Sequence, residues 1–348
     1  MKFAAFVLAT VVFVAGCKKS ETPKTASGGS DSSEQASADD GAPVTLRVKW
    51  PVGNRYTQRM EVNGDTETRM PQSPKPMQQK IGLNQEYSIT VLAERPKGGR
   101  ELELEVESAE IDVTMNGKPV VNLDTKAEAD PAEGKSGLAS FRQLIGAKIK
   151  FLIDGSNQVE KVEGVQAFAA KAMAGSNPQG RAAMQSMFSE DYFKQMVDTQ
   201  RAMPPKPVKV GDSWPYKEQI AIPSFGAMTL DLTYTLKGWE QREKRKCAAI
   251  DFNGTMTTGA STNAAQSAMS MKMESGKISG RTWFDPELGT TVETALDQDL
   301  VMHITVPVPR PRTTNNPAAA QLPMTQTITN NTKQKVVIKL IEVVSAAK

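Results

Sequence analysis

The chain is short of the residues on which most catalytic and disulfide-stapled folds rely: its 348 residues include one histidine, two cysteines and 6% aromatics. Any Ser-His-Asp or histidine-based metal chemistry would fall to His303 alone, and no Gly-x-Ser-x-Gly elbow accompanies it. Asp297 and Asp299 share a strand face with His303, but residues two apart lie about 6.6 to 7 Å from one another, so the three converge poorly on a metal. A Walker loop and a dinucleotide fingerprint are absent, and no cofactor is implied. Charge of one sign is lacking too. The 42 basic and 39 acidic side chains give +3, which leaves no nucleic-acid footprint. The densest basic stretches, Lys237 to Lys246 and Arg310 to Arg312, are broken by acids or prolines and read as solvated turns. No apolar run reaches the roughly 20 residues of a membrane-spanning helix.

What the sequence does have begins at its first residue. Lys2 precedes an apolar run from Phe3 to Ala15, broken only by Thr10, and Val14-Ala15-Gly16-Cys17 leads directly into a polar stretch. A charged start, a short apolar core and small residues at the cut mark a secretory signal. Val14 to Cys17 resembles the bacterial lipoprotein pattern, which implies diacylglycerol on the Cys17 thiol, cleavage before Cys17 and acylation of the new amino terminus. Residues 1–16 are then a signal peptide, and 17–43 a lipidated cysteine with a tether too poor in large apolar residues to fold. As a flexible coil, residues 18 to 43 reach about 28 Å. Multiple acyl chains anchor the protein permanently, so the membrane, through Cys17, is its expected partner. Lys18-Lys19-Ser20 carries no acid resembling an inner-membrane retention signal. The expected location is the cell envelope, on the outer membrane facing the periplasm. Cys247 is the one cysteine left, with no partner for an intramolecular disulfide, and reads as a small buried hydrophobe.

From Val44 onward the patterning is mainly that of strands. Leu230, Leu232, Tyr234 and Leu236 alternate with polar neighbours, the signature of an antiparallel sheet with one face buried. In Glu101 to Met115 the apolar parity flips near Ser108, which predicts a β-bulge. Further strands are expected at Val44 to Trp50, Arg55 to Val62, Glu86 to Ala93, Lys148 to Ile153, Ala248 to Met256, Lys277 to Phe284, Thr291 to Val306, Met324 to Thr329 and Lys335 to Val344. The chain also echoes itself. Val52-Gly53-Asn54-Arg55-Tyr56 is matched by Val210-Gly211-Asp212-Ser213-Trp214, and the turn at Asp154-Gly155 by the one at Asp285 to Gly289.

Between the echoes the period changes to that of helices, with Val165, Phe168, Ala169 and Met173 on one face and Ala183, Met184, Met187 and Phe188 on another. Tyr192, Phe193, Met196 and Val197 form a third face, and Pro204-Pro205 ends the segment. The expected fold class is therefore mostly β (α+β): duplicated curved antiparallel β-sheet units, 44–162 and 204–348, with a helical insert at 163–203 between the halves.

With the Cys17 motif, the repeated hairpin and the paired Gly53/Tyr56 and Gly211/Trp214 openings, the chain resembles an uncharacterised family of bacterial lipoproteins built on a domain of unknown function. The resemblance implies an envelope location and a β-rich domain, and no activity. By element order alone it is similar to the half-barrel lipoprotein carriers LolA and LolB. The expected function is a non-catalytic binding or scaffold module that meets an apolar ligand or an envelope protein. The first alternative is a carrier of lipid or another apolar ligand in a half-barrel. Met173, Met184, Met187, Phe188, Tyr192 and Met196 would form its adaptable lid. The second is an envelope hydrolase, for which no residue stands out.

Overall fold

The computed structural model describes residues 41–129, 139–173, 190, 193–194, 199–222, 226–258, 270–308 and 324–345. Residues 1–40, which hold the expected signal peptide, Cys17 and most of the expected tether, lie outside them. The first half runs through β1 (Arg55–Arg69), β2 (Met77–Glu94), β3 (Arg100–Met115), β4 (Lys118–Asp124), the short α1 (Ala139–Arg142), β5 (Lys148–Ile153) and β6 (Val159–Glu163). Then come α2 (Val165–Ala172) and a 3-10 turn at Thr199–Ala202. The second half is β7 (Ser213–Ile222), β8 (Gly226–Arg242), β9 (Arg245–Thr258), β10 (Ser270–Asp285), β11 (Thr290–Val308) and β12 (Met324–Val344).

All 12 strands join one curved antiparallel sheet in the order β6-β5-β3-β2-β1-β12-β11-β10-β9-β8-β7, with β4 also paired to β3. The edge of β3 is shared: β5 takes Arg100 to Glu105 and β4 takes Glu110 to Met115. The register shift between the two stretches, opposite Glu86/Tyr87, is the bulge that the parity flip near Ser108 predicts. The last strand differs from expectation. Met324 to Thr329 and Lys335 to Val344 are one strand, β12, continuous through Asn330 to Gln334. β1 and β2 likewise run past the predicted segments, to Arg69 and from Met77.

One face of the sheet holds a single core, from Tyr56, Met60 and Val62 on β1 to Leu230, Leu232 and Tyr234 on β8. The sheet coils because the pleat is interrupted where strands approach closely. A Cβ on Gly254 would lie 2.0 Å from the Asp231 carbonyl oxygen, and one on Gly280 would lie 2.3 Å from that of Ala295. Phe168, Phe193, Ala202 and Met203, from the connection between the halves, belong to the same core, so that connection packs on the inner face. Phe168 and Phe193 meet edge to face at 5.5 Å.

Residues 44–50 are extended but are not a ladder strand. Their one bridge is Val44 to Val208, and they form a strap across one end of the sheet. Leu46, Val48 and Trp50 point in, with relative exposures of 1%, 5% and 9%. Arg47 and Lys49 point out and tie the strap to two hairpin tips. The Lys49 amide donates to the Gly289 carbonyl at 2.8 Å, and its ammonium donates to Pro286 and Glu287 carbonyls. Arg47 donates to the Gly155 carbonyl, and Asn157 donates to that of Val48.

The echoes in the sequence correspond to matching backbone bonds. The Gly53 amide donates to Val91 and the Val91 amide to Asn54; the Gly211 amide donates to Leu236 and the Leu236 amide to Asp212. Gly53 (φ 86°) and Gly211 (φ 95°) sit in the left-handed region that such turns need. The Asp154 and Asp285 carboxylates each accept two backbone N–H bonds within their own turns, from Ser156 and Gln158 and from Glu287 and Leu288.

The outer face is mostly polar apart from a small buried cluster of Cys247, Ala249, Trp283 and Val292, and its most consequential charge is Glu86. Lys126, Arg59 and Ser108 all donate to its carboxylate, and these bonds hold its pKa down from the ordinary 4.5 to about 2. A carboxyl depressed in the folded state adds stability that is complete above pH 4.5 and is lost as pH falls through about 2. Glu86→Gln is therefore expected to lower the urea midpoint at neutral pH and to flatten its fall between those two values. An unchanged acid limb would remove Glu86 from the account.

Candidate functional site

The chemistry-bearing residues singled out from sequence lie apart from one another. His303 is on the outer face of β11, where Nε2 meets Glu274 Oε2 at 2.8 Å and Nδ1 meets the Thr329 hydroxyl at 3.1 Å. Asp297 and Asp299 are exposed opposite Lys335 and Lys333. Among the described residues no group of His, Cys, Asp and Glu could hold a metal ion. Cys247 is fully buried, and burial pushes its thiol up to about 12, which makes it inert. Of the expected lid, Met173 is half-buried at the C-terminal end of α2. Met184, Met187, Phe188, Tyr192 and Met196 lie outside the described residues.

The arrangement that invites a ligand is on the inner face, near the middle of β11 and β12. Gln298 on β11 stands directly across from Gln334 on β12, and Gln334 across from Gly64 on β1. The two glutamines are 3% and 4% exposed. Neither side-chain atom of Gln298 has a hydrogen-bond partner, nor has the Gln334 carbonyl oxygen. The carbonyl oxygen of Asn330, two residues earlier on the same face of β12, is also buried and unpartnered. Gly64 makes room for this cluster. A Cβ there would come 2.9 Å from the Ile81 side chain and 3.8 Å from that of Gln334. Next to it the Thr66 and Thr332 hydroxyls bond each other at 3.0 Å, so the threonines are satisfied while the Gln298 amide and the Gln334 carbonyl oxygen are not.

Around this polar band the inner face is apolar and rich in methionine. Ile278 pairs with Gln298, Leu296 and Leu300 flank it along β11, and Met228, Met256, Met273 and Met302 are all buried on the same face. Methionine fills irregular space and adapts to different apolar partners. Among the described residues the buried polar side chains are neutral except for Asp285, which is occupied in its hairpin turn and paired with Arg245. A buried amide without a partner costs about 1–3 kcal/mol per group, against a total stability of about 5–15 kcal/mol for a typical domain. A molecule matched to this composition would be mostly apolar and carry one uncharged donor or acceptor. An ionised head buried there would have no counter-charge, at a far greater cost.

Helical periodicity and the methionines of the connection direct attention to a lid, whereas the site's own residues sit on strands. Their sequence signal is polar side chains at inward parity: Thr66, Gln79, Gln298, Asn330, Thr332 and Gln334.

Comparison with solved structures gives low identities. Lipovitellin, in a structure described by its lipid–protein interactions, matches at 8% identity and a TM-score of 0.43, covering 86% of this chain. The chain spans about a quarter (26%) of the lipovitellin chain. Two Pseudomonas aeruginosa structures, OccK7 (OpdD) and OpdQ, match at 7% and 8% identity with TM-scores of 0.18 and 0.16. They cover 85% and 84% of this chain, and 100% and 99% of their own. No curated protein matches the sequence. Residues 97–290, from the β2–β3 hairpin to the start of β11, match the Family of unknown function (DUF6263), and the chain belongs to that family.

Proposed function

We propose that the protein is a lipid-anchored envelope module whose β domain binds, without catalysis, an apolar ligand bearing one uncharged hydrogen-bonding group. The observation that carries this reading is the buried Gln298 and Gln334 pair, with unpartnered amide groups on an otherwise apolar inner face. A purely structural scaffold has no use for such groups, since leucine at either position would pack without leaving a polar atom unmatched. The chemical class that fits is a neutral lipid or acyl compound whose ester, amide or hydroxyl meets the amides while its chains lie along Leu300, Met302 and Ile278. In this reading the two halves derive from one duplicated unit, supported by the matched bonds at Gly53 and Gly211 and at Asp154 and Asp285. The expected lid of Met173, Met184, Met187, Phe188, Tyr192 and Met196, in the insert 163–203, would supply the adaptable surface of such a carrier. Cys17 holds the module at the envelope membrane.

Native mass spectrometry of residues 18–348, which include every described residue, tests the reading after purification from cells without detergent. The expected result is a stoichiometric adduct that extraction identifies as an uncharged lipid. A bare mass, or an adduct that is anionic throughout, overturns it.

A further inference from the structure

The two ends of the sheet differ. Among the described residues, the exposed large apolar side chains gather at the strap end: Val52, Leu92, Val210, Ile341 and Val344 lie there, and only Met70 and Phe141 lie elsewhere. Val52 and Val210 occupy equivalent turns before β1 and β7. Val344 pairs with Arg55, three residues after Val52, and Leu92 follows Val91, which bonds that same turn. The same end carries exposed lysines: Lys97 in the β2–β3 hairpin, Lys209 beside Val210, Lys237 near the end of β8, and Lys244 at the tip of the β8–β9 hairpin. Glu94, Glu160, Glu240 and Asp285 at this end are engaged by Arg100, Arg95, Arg281 and Arg245, while Asp212, Glu243, Glu287 and Glu342 are exposed there beside the lysines. Among the described residues none of the four lysines is held in a salt bridge. The chain also leaves the fold here: Val44 pairs with Val208, two residues from Val210, and leads back through the tether to Cys17.

From this placement we propose that the strap end is a docking face for an anionic phospholipid surface. Val52, Val210 and Val344 enter the interfacial layer, and Lys97, Lys209, Lys237 and Lys244 meet lipid phosphates. Isolated surface valines are ordinary, but five apolar side chains ringed by lysines at the anchored end are not scattered. Each lysine near an anionic leaflet strengthens binding about fivefold, and the attraction falls off within a Debye length. The face would hold the sheet upright on the membrane, with the Gln298 site set back from it half-way along β11. The inference rests on the anchored reading above.

The test uses residues 18–348, so that no acyl chain contributes, with vesicles of phosphatidylcholine alone or mixed with phosphatidylglycerol. Sedimentation is expected with the anionic vesicles only and should weaken with salt. Lys97→Glu with Lys244→Glu should reduce binding at least 25-fold, about fivefold per lysine. Lys75→Glu with Lys118→Glu, the same charge change at the opposite end, should leave it within the smaller change expected of net charge. An environment-sensitive dye on Val52→Cys should shift to the blue on binding, and one on Met70→Cys should not; buried Cys247 takes no label. A matching urea midpoint for each variant excludes misfolding. No anionic-vesicle binding, or equal losses from the two lysine pairs, overturns the docking face. The mass of the full chain reports acylation at Cys17 separately, so failure of the anchor and failure of the face are read apart.

Discussion

Gln298→Leu is expected to make the ligand-free domain more stable and to weaken binding at least tenfold, two effects that a structural glutamine would not combine. Leucine is close in volume, and its neighbours across the ladder are Ile278 and Gln334. The change removes two buried atoms that have no hydrogen-bond partner. Relieving them should add about 2 kcal/mol to the unfolding free energy in urea. Ligand affinity should fall tenfold or more, since a bound donor or acceptor would then face hydrocarbon, at about 1–3 kcal/mol. Gln298→Glu provides the opposite sign. A carboxyl with no cation near it has its folded pKa raised by burial. The variant should therefore be several kcal/mol less stable at neutral pH and recover as pH falls and the acid becomes neutral. If Gln298→Leu instead lowers the urea midpoint, the amide is already paired in the fold and the ligand reading loses its main support.

The sheet itself was largely legible in the sequence, because alternation with one buried face is a direct statement of strand parity. The β5 bounds and the bulge near Ser108 follow from it. The site was not legible, and the reason is specific. Strand reading stops where the inward positions stop being apolar, and the site consists of inward positions that are polar. Thus Asn63 to Arg69 and Asn330 to Gln334 read as connections and are in fact parts of β1 and β12, whereas Met77 to Gln85 belongs to β2 although its inward Ile81 and Leu83 are apolar. Gln298 lay within a predicted strand, yet an isolated glutamine between Asp297 and Asp299 has the look of a solvated face until parity places it beside Leu296 and Leu300. The Val44 to Trp50 segment fails in the opposite way. Its alternation is that of a strand, but the partner on its polar side is a pair of hairpin tips, which no local pattern shows.

That strap is where the second large effect is expected. A chain beginning at Pro51 loses Leu46, Val48 and Trp50, each worth about 1.5–3 kcal/mol when fully buried, so the loss is about 4.5–9 kcal/mol and rivals a typical domain's entire stability. It also loses the Lys49 bonds to the β10–β11 tip and the Val48 and Arg47 bonds to the β5–β6 tip. These two tips belong to different halves, on opposite sides of β1 and β12, and the strap is bonded to both. Removing it should therefore do more than lower a midpoint. The halves should unfold in separate steps, seen as a divergence between the fluorescence of Trp214, Trp239 and Trp283, all in the second half, and far-ultraviolet circular dichroism from both. A chain beginning at Val44 keeps the strap, sheds only the tether, and should match the longer protein in one cooperative transition. Should the chain from Pro51 unfold in one step at the unchanged midpoint, the strap is no more than the end of the tether, and the coupling of the halves must come from β12, which lies between β1 and β11.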